Sequence, residues 1–132
     1  NMPVKKQNPE VETTAQVEWV PKAEVKADVT DLSLVLDRVK AKEGVIGYIL
    51  RASTSAAVDI KDPSKIIDYA VLSTSALESG ESLSETFGLG KVSNIVVEGK
   101  DLKVLSFTIG EHRVSVFMEK NVDHDAIYQE LT

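Results

Sequence analysis

The sequence predicts a small α/β domain in which helices pack on an antiparallel sheet. A polar-flecked segment from Asp62 to Phe87 has the length of one long helix. The glycine-marked stretch Gly88-Leu89-Gly90 then gives way to three short apolar runs of β-forming residues. Apolar residues fall on both faces of those runs, so a layer is expected on each side of the sheet instead of one wet face. The order that emerges is helix, two strands, long helix, three strands, short helix.

The first helix is expected to open at Thr30, an N-capping residue, with Asp31 adding favourable charge to its first turn. Leu32, Val35, Leu36 and Val39 recur at i, i+3, i+4 and i+7 and form one apolar stripe. Gly44 suits a left-handed residue just past the helix end. A strand Val45–Arg51 follows, then a polar turn at Ser53-Thr54-Ser55 and a second strand Ala56–Ile60, which together read as a hairpin. Asp62-Pro63 opens the long helix, with aspartate at the cap and proline at its first position. Ile66, Tyr69, Ala70, Ser73, Ala76 and Leu77 hold one face, small-sided in the middle, and Gly80 is a point where the segment is expected to break or kink. The final strands are Asn94–Glu98, Leu102–Ile109 and Arg113–Glu119, the last two joined by a two-residue turn at Gly110-Glu111. Asp123 caps a short helix containing Ile127, Tyr128 and Leu131.

Composition limits the function classes. A chain of 132 residues is one domain with an appended tail, and a domain of this size hides roughly 60–70% of its unfolded surface. Residues 1–28 are expected to be a partly flexible N-terminal extension, and residues 29–132 the folded domain. The extension carries Pro3, Pro9 and Pro21, yet also Val17, Trp19 and Val20, so a docking role for Val17–Val20 stands beside that of a plain linker. Asn1 ahead of Met2 reads as a cloning remnant. Fifteen basic against 21 acidic side chains, with only three arginines, leave no basic stripe for phosphates, so nucleic acid is not an expected partner. The absence of cysteine excludes a disulfide frame and thiolate chemistry and fits a cytoplasmic location. No apolar run reaches the roughly 20 residues that span a bilayer, and no secretory signal is visible, so neither membrane insertion nor export is expected.

No catalytic constellation is found. His112 falls in the expected hairpin turn, where solvation is the ordinary state. His124 sits between Asp123 and Asp125, but adjacent residues on a helix point apart and do not converge on a metal, so an exposed first-turn position is expected. Gly88-Leu89-Gly90-Lys91 lacks the spacing and the Ser/Thr of a phosphate loop and leads into a strand. Gly80-Glu81-Ser82-Leu83-Ser84 fails the nucleophile-elbow pattern at its last position. Ser73, Thr74 and Ser75 read as small packing residues. The expectation is a chain that is not an enzyme and needs no metal or cofactor. The weakest remaining alternative is chemistry at the Ser/Asp-rich turn Ser53–Asp62.

The element order, with Leu36–Val39 ahead of Gly44-Val45-Ile46-Gly47-Tyr48-Ile49-Leu50, then the long helix and Phe87-Gly88-Leu89-Gly90, resembles the roadblock/LC7 domain family over about Asp31 to Leu131. Glu43-Gly44 stands where that family commonly has Pro-Gly, and Ser53-Thr54-Ser55 where it has an Asp-Gly turn. The resemblance implies a three-layer α/β/α domain around a five-stranded antiparallel sheet, profilin/roadblock-like, with the long helix on one face and the terminal helices on the other. It further implies a homodimer made by pairing third strands edge to edge with the long helices side by side. The residues agree, because Asn94–Glu98 is a short β-branched strand without proline, an edge that invites pairing. The expected dimer interface therefore comprises Asn94, Ile95, Val96 and Val97 with Tyr69, Ser73 and Ala76 of the long helix. Relatives of this kind act as scaffolds or regulators of Ras-like small GTPases, which makes such a GTPase the expected partner. The alternative from another class is a ligand-binding sensor of profilin-like shape, with a pocket between sheet and helix.

Overall fold

Alternating apolar residues and well-placed glycines produce the expected sheet. The structure, a computed structural model, describes residues 27–132; the expectations for the extension and for Val17–Val20 lie outside them. The elements in order are α1 (Ala27–Lys40), β1 (Val45–Arg51), β2 (Ala56–Ile60), a single 3-10 turn (Pro63–Lys65), α2 (Ile66–Phe87), β3 (Ile95–Glu98), β4 (Leu102–Ile109), β5 (His112–Glu119) and α3 (His124–Leu131). The strands form one antiparallel sheet in the order β2-β1-β5-β4-β3. Among the described residues β1, β5 and β4 occupy the interior, and β2 and β3 are the borders.

Two cores sandwich the sheet, one per face. On one side Leu32, Leu36 and Val39 of α1 and Ile127 and Leu131 of α3 close over Tyr48, Leu50, Leu105, Phe107, Val114 and Val116. On the other, Ile66, Tyr69, Ala70 and Leu72 of α2 cover Ile49, Ile60, Val104 and Phe117. A register shift between Val45 and Gly47 in the β1–β5 pairing breaks strict alternation, which lets Val45 join Tyr48 and Leu50 on the α1 side. The Tyr48 hydroxyl donates to Asp37 at 2.8 Å. Burial, then that bond, then the carboxylate charge hold it protonated well above the usual tyrosine range.

Several local expectations are corrected. α1 begins at Ala27, so Thr30 lies inside the helix and is not its cap; nothing in Ala27-Asp28-Val29 stops helical propagation backwards. Gly44 does have φ +86°, but it sits four residues beyond α1 in a turn, where its carbonyl accepts the Glu119 N–H at 2.8 Å. Asp62 caps the short 3-10 turn ahead of α2, accepting from the Ser64 hydroxyl at 2.7 Å and from the Ser64 N–H at 3.1 Å, and those two bonds, the hydroxyl's first, hold its carboxyl below the usual range. His112 belongs to β5, half-buried and paired with Ile109, instead of lying in the turn. Asp123 caps α3 as expected, accepting from the Asp125 and Ala126 N–H groups at 3.1 and 3.2 Å.

Gly80 does not break α2, which runs unbroken to Phe87. Its missing side chain admits Ile95 of β3 instead: a Cβ there would lie 2.7 Å from Ile95 Cγ1. The helix ends at Gly88, left-handed at φ +65°, whose N–H caps the Ser84 carbonyl.

Candidate functional site

α2 crosses the sheet obliquely. Its first turns pack on β1, β2 and β5, and Tyr69 stacks on Phe117 with centroids 4.6 Å apart and rings 17° from parallel. At mid-helix the Ser73 hydroxyl meets that of Ser115 at 2.5 Å, and Ser115 meets Ser106 at 2.7 Å. Its C-terminal half reaches β3 through Gly80 and Ile95. Ser73, Ser106 and Ser115 are buried, so Ser73 does more than pack: a chain of three hydroxyls marks where α2 crosses β5 and β4. Ser115→Ala leaves the two outer hydroxyls without their central partner, an expected loss of about 1–3 kcal/mol by urea denaturation. Replacing all three serines by alanine is expected to cost less than the sum of the single losses, because no half-satisfied hydroxyl remains.

The residues expected at a dimer border divide into two groups. Ile95 to Val97 do stand on the sheet's border, with Asn94 just ahead of the strand in the connecting segment: among the described residues β3 pairs only with β4, from Ile95 opposite Ser106 to Glu98 opposite Lys103. Val97 is 40% exposed on the same face as Val104 and α2. Val96 instead packs against the α1/α3 core, and Ile95 lies under Gly80. The long-helix residues are placed otherwise. Tyr69 is stacked inward, and Ser73 and Ala76 are 2% and 5% exposed, turned onto the chain's own sheet. Small side chains serve close approach of helix to sheet as well as helix to helix, which is why composition does not separate the two.

The apolar side chains that α2 leaves exposed are Ile67, Val71, Leu83 and Phe87, the last 68% exposed. Helical spacing places Leu83 and Phe87 on the flank shared with Ala76 and Gly80. Gly80 on that same flank meets Ile95 of β3. Sequence reasoning missed Leu83 and Phe87 because Phe87 reads equally well as the last core residue of the helix.

Candidate chemistry stays dispersed. His124 is half-buried, and its Nδ1 is 2.9 Å from the buried Lys103 Nζ, a correction to the exposed position expected of it. Its Nε2 lies 3.6 Å from Asp125, an adjacent-residue approach that spacing alone did not anticipate. No group of three or more metal-ligating side chains occurs among the described residues. In the Ser53–Asp62 stretch Asp62 is engaged as a cap, and Asp59 pairs with Lys40 at 2.5 Å. No described helix is long and apolar enough to cross a membrane. The middle of the α2–sheet interface is filled by the serine chain and the stacked rings. A cleft of about 400 Å³ lies at the C-terminal half of α2.

No protein-family model matches the chain, and no curated protein sequence matches it. Solved structures do share its fold. A roadblock/LC7 domain from Streptomyces avermitilis superimposes with a TM-score of 0.60 at 20% identity, over 75% of this chain and 83% of that one. MglB of Myxococcus xanthus gives 0.57 at 16% identity, over 82% and 90%. An MglB structure with a tetrameric arrangement gives 0.58 at 13% identity, over 86% and 85%. The chain thus has the roadblock/LC7 fold, an α+β domain with a five-stranded antiparallel sheet.

Proposed function

We propose that this chain is a homodimeric roadblock/LC7-type regulatory or scaffold module that acts on a Ras-like small GTPase and contributes no chemistry of its own. One observation carries the reading: among the described residues β3 is a short border strand paired on one side only, with Val97 exposed on it and Leu83 and Phe87 exposed on the flank of α2 that carries Gly80. A second copy related by a two-fold axis would pair with that strand antiparallel and cover the same apolar side chains isologously. The likeness to roadblock/LC7 and MglB structures supports it, and so does the tetrameric arrangement of one of them.

The proposed interface keeps Asn94 to Val97 and takes Leu83 and Phe87 of α2 in place of Tyr69, Ser73 and Ala76. α2 carries Asp68, Glu78, Glu81 and Glu85 and no lysine or arginine. Two such helices side by side repel along their acidic faces, so the apolar flank must do the joining. The GTPase half of the proposal is tested by single-turnover GTP hydrolysis of a small GTPase from the same source, with and without the dimer. A change in the hydrolysis rate, or retention of the nucleotide-bound GTPase on immobilised dimer, is the expected result. Neither effect with any such GTPase would contradict it.

A further inference from the structure

The other flank of α2 carries the cleft of about 400 Å³, bounded by the C-terminal half of α2, the connection 88–94 and the end of β4. Ser106, Phe107 and Thr108 line it in succession. Neighbouring strand residues point to opposite faces, and the Phe107 ring is committed to the far one, edge-on to Tyr128 at 5.1 Å. What the cleft meets at Phe107 is therefore main chain. β3 stops pairing at Ile95 opposite Ser106, whereas β5 stays paired with β4 to Ile109. Among the described residues, β4 from Phe107 to Ile109 has a strand on one side only.

The connection is held off that edge. The Gly90 carbonyl accepts from the Ser84 hydroxyl on α2, and the Ser93 carbonyl accepts from the Tyr128 hydroxyl on α3 at 3.3 Å. Tied to both layers, the segment wraps the border of the sheet and does not prolong β3, with Gly90 at φ +80° supplying the bend. The cleft lies where β3 would have continued. Leu77, Val92 and Ile95 supply apolar walls; Glu81 and Glu85 stand on α2, with Lys91 the one cation of the lining among the described residues, so their lining is net negative.

We propose that this cleft binds an extended segment of a partner polypeptide that takes the missing strand position beside Phe107–Ile109. A small aliphatic side chain of the segment enters between Leu77, Val92 and Ile95, and a lysine or arginine of the segment faces Glu81 and Glu85. Main-chain pairing at a sheet edge supplies affinity, and pockets for alternate side chains supply selectivity. The volume, at the low end of the roughly 300–1,000 Å³ of ligand sites, suits a few residues and not a folded surface. The proposal goes beyond the dimer and the GTPase, since it uses the opposite flank of α2.

The test titrates the uniformly ¹⁵N-labelled full chain with the peptide acetyl-Thr-Val-Lys-Val-Thr-amide, with its glutamate counterpart in place of lysine, and with a form N-methylated at its two valines. The expected result is amide shifts confined to residues 81–95 and 106–109. The lysine peptide is expected to bind about tenfold more tightly than the glutamate one, the effect of one partly desolvated charge pair, and the N-methylated form is expected not to bind. The exposed pair Glu81→Lys with Glu85→Lys should reverse the preference while leaving the remaining spectrum unchanged. Absence of shifts at millimolar peptide, equal affinity for the two charge forms, or shifts centred on Ala56–Ile60 would overturn the proposal. So would nuclear Overhauser contacts in the peptide-free protein from residues 1–26 or from a second copy to the Val92 and Ile95 methyls, which would show the cleft filled by the chain itself.

Discussion

Phe117→Ala is expected to lower the unfolding free energy by about 3–5 kcal/mol, the range for removing a fully buried aromatic ring. Phe117 lies on β5, inside the sheet, with no exposed surface, and its ring stacks on Tyr69. It joins the first turns of α2 to the sheet, together with Ile49, Ile60 and Val104. The cost is therefore both a cavity and a loosened helix. Urea denaturation followed by far-ultraviolet circular dichroism measures it, and amide exchange should rise first along α2. A loss under about 1 kcal/mol would mean that α2 is held mainly elsewhere. Phe107, equally buried on the opposite face and edge-on to Tyr128, provides the matched control: its removal should expose α3 while leaving α2 protected.

Gly47→Ala is expected to cost about 2–4 kcal/mol, more than an alanine placed at an ordinary strand glycine. A Cβ at this position would fall 2.7 Å from the Ile60 Cα and against the Asp59 carbonyl oxygen, both of them main chain. Neither can swing aside as a side chain would. The substitution must either part β1 from β2 or displace the irregularity between Val45 and Gly47 that seats Val45 in the α1 core. Thermal unfolding together with the amide spectrum of Ala56–Ile60 distinguishes these from a neutral change. Gly88 serves as the comparison, since a Cβ there meets nothing within 4 Å and its cost comes from the left-handed φ alone.

Strand positions were legible because alternation and glycine punctuation are local. Val45–Arg51, Ala56–Ile60 and Leu102–Ile109 appear in the structure with the bounds read from sequence. The layering was legible from apolar residues on both faces of the last strands. The inward face of α2 was legible as a stripe but not as to its partner. Ser73 and Ala76 are as suited to a second helix as to the sheet they meet, and only the crossing point marked by Ser115 and Ser106 decides between them. Gly80 read as a breaker because its use is tertiary, making room for Ile95 fifteen residues further along the chain. The cleft had no sequence signal at all. It exists because β3 begins one pairing position too late to cover Phe107, a consequence of the ties from Ser84 and Tyr128 to the connecting segment.

The edge-pairing account is tested most directly by mass in solution, from sedimentation equilibrium of the full chain and of Val97→Glu. Val97 is preferable to Val96 for this purpose, because Val96 packs against the α1/α3 core and a charge there would damage the monomer itself. The parent chain should sediment at twice its 14.4 kDa, and the variant at the single-chain mass with an unchanged circular dichroism spectrum. A monomeric parent, or a variant that remains fully dimeric, would contradict pairing through β3.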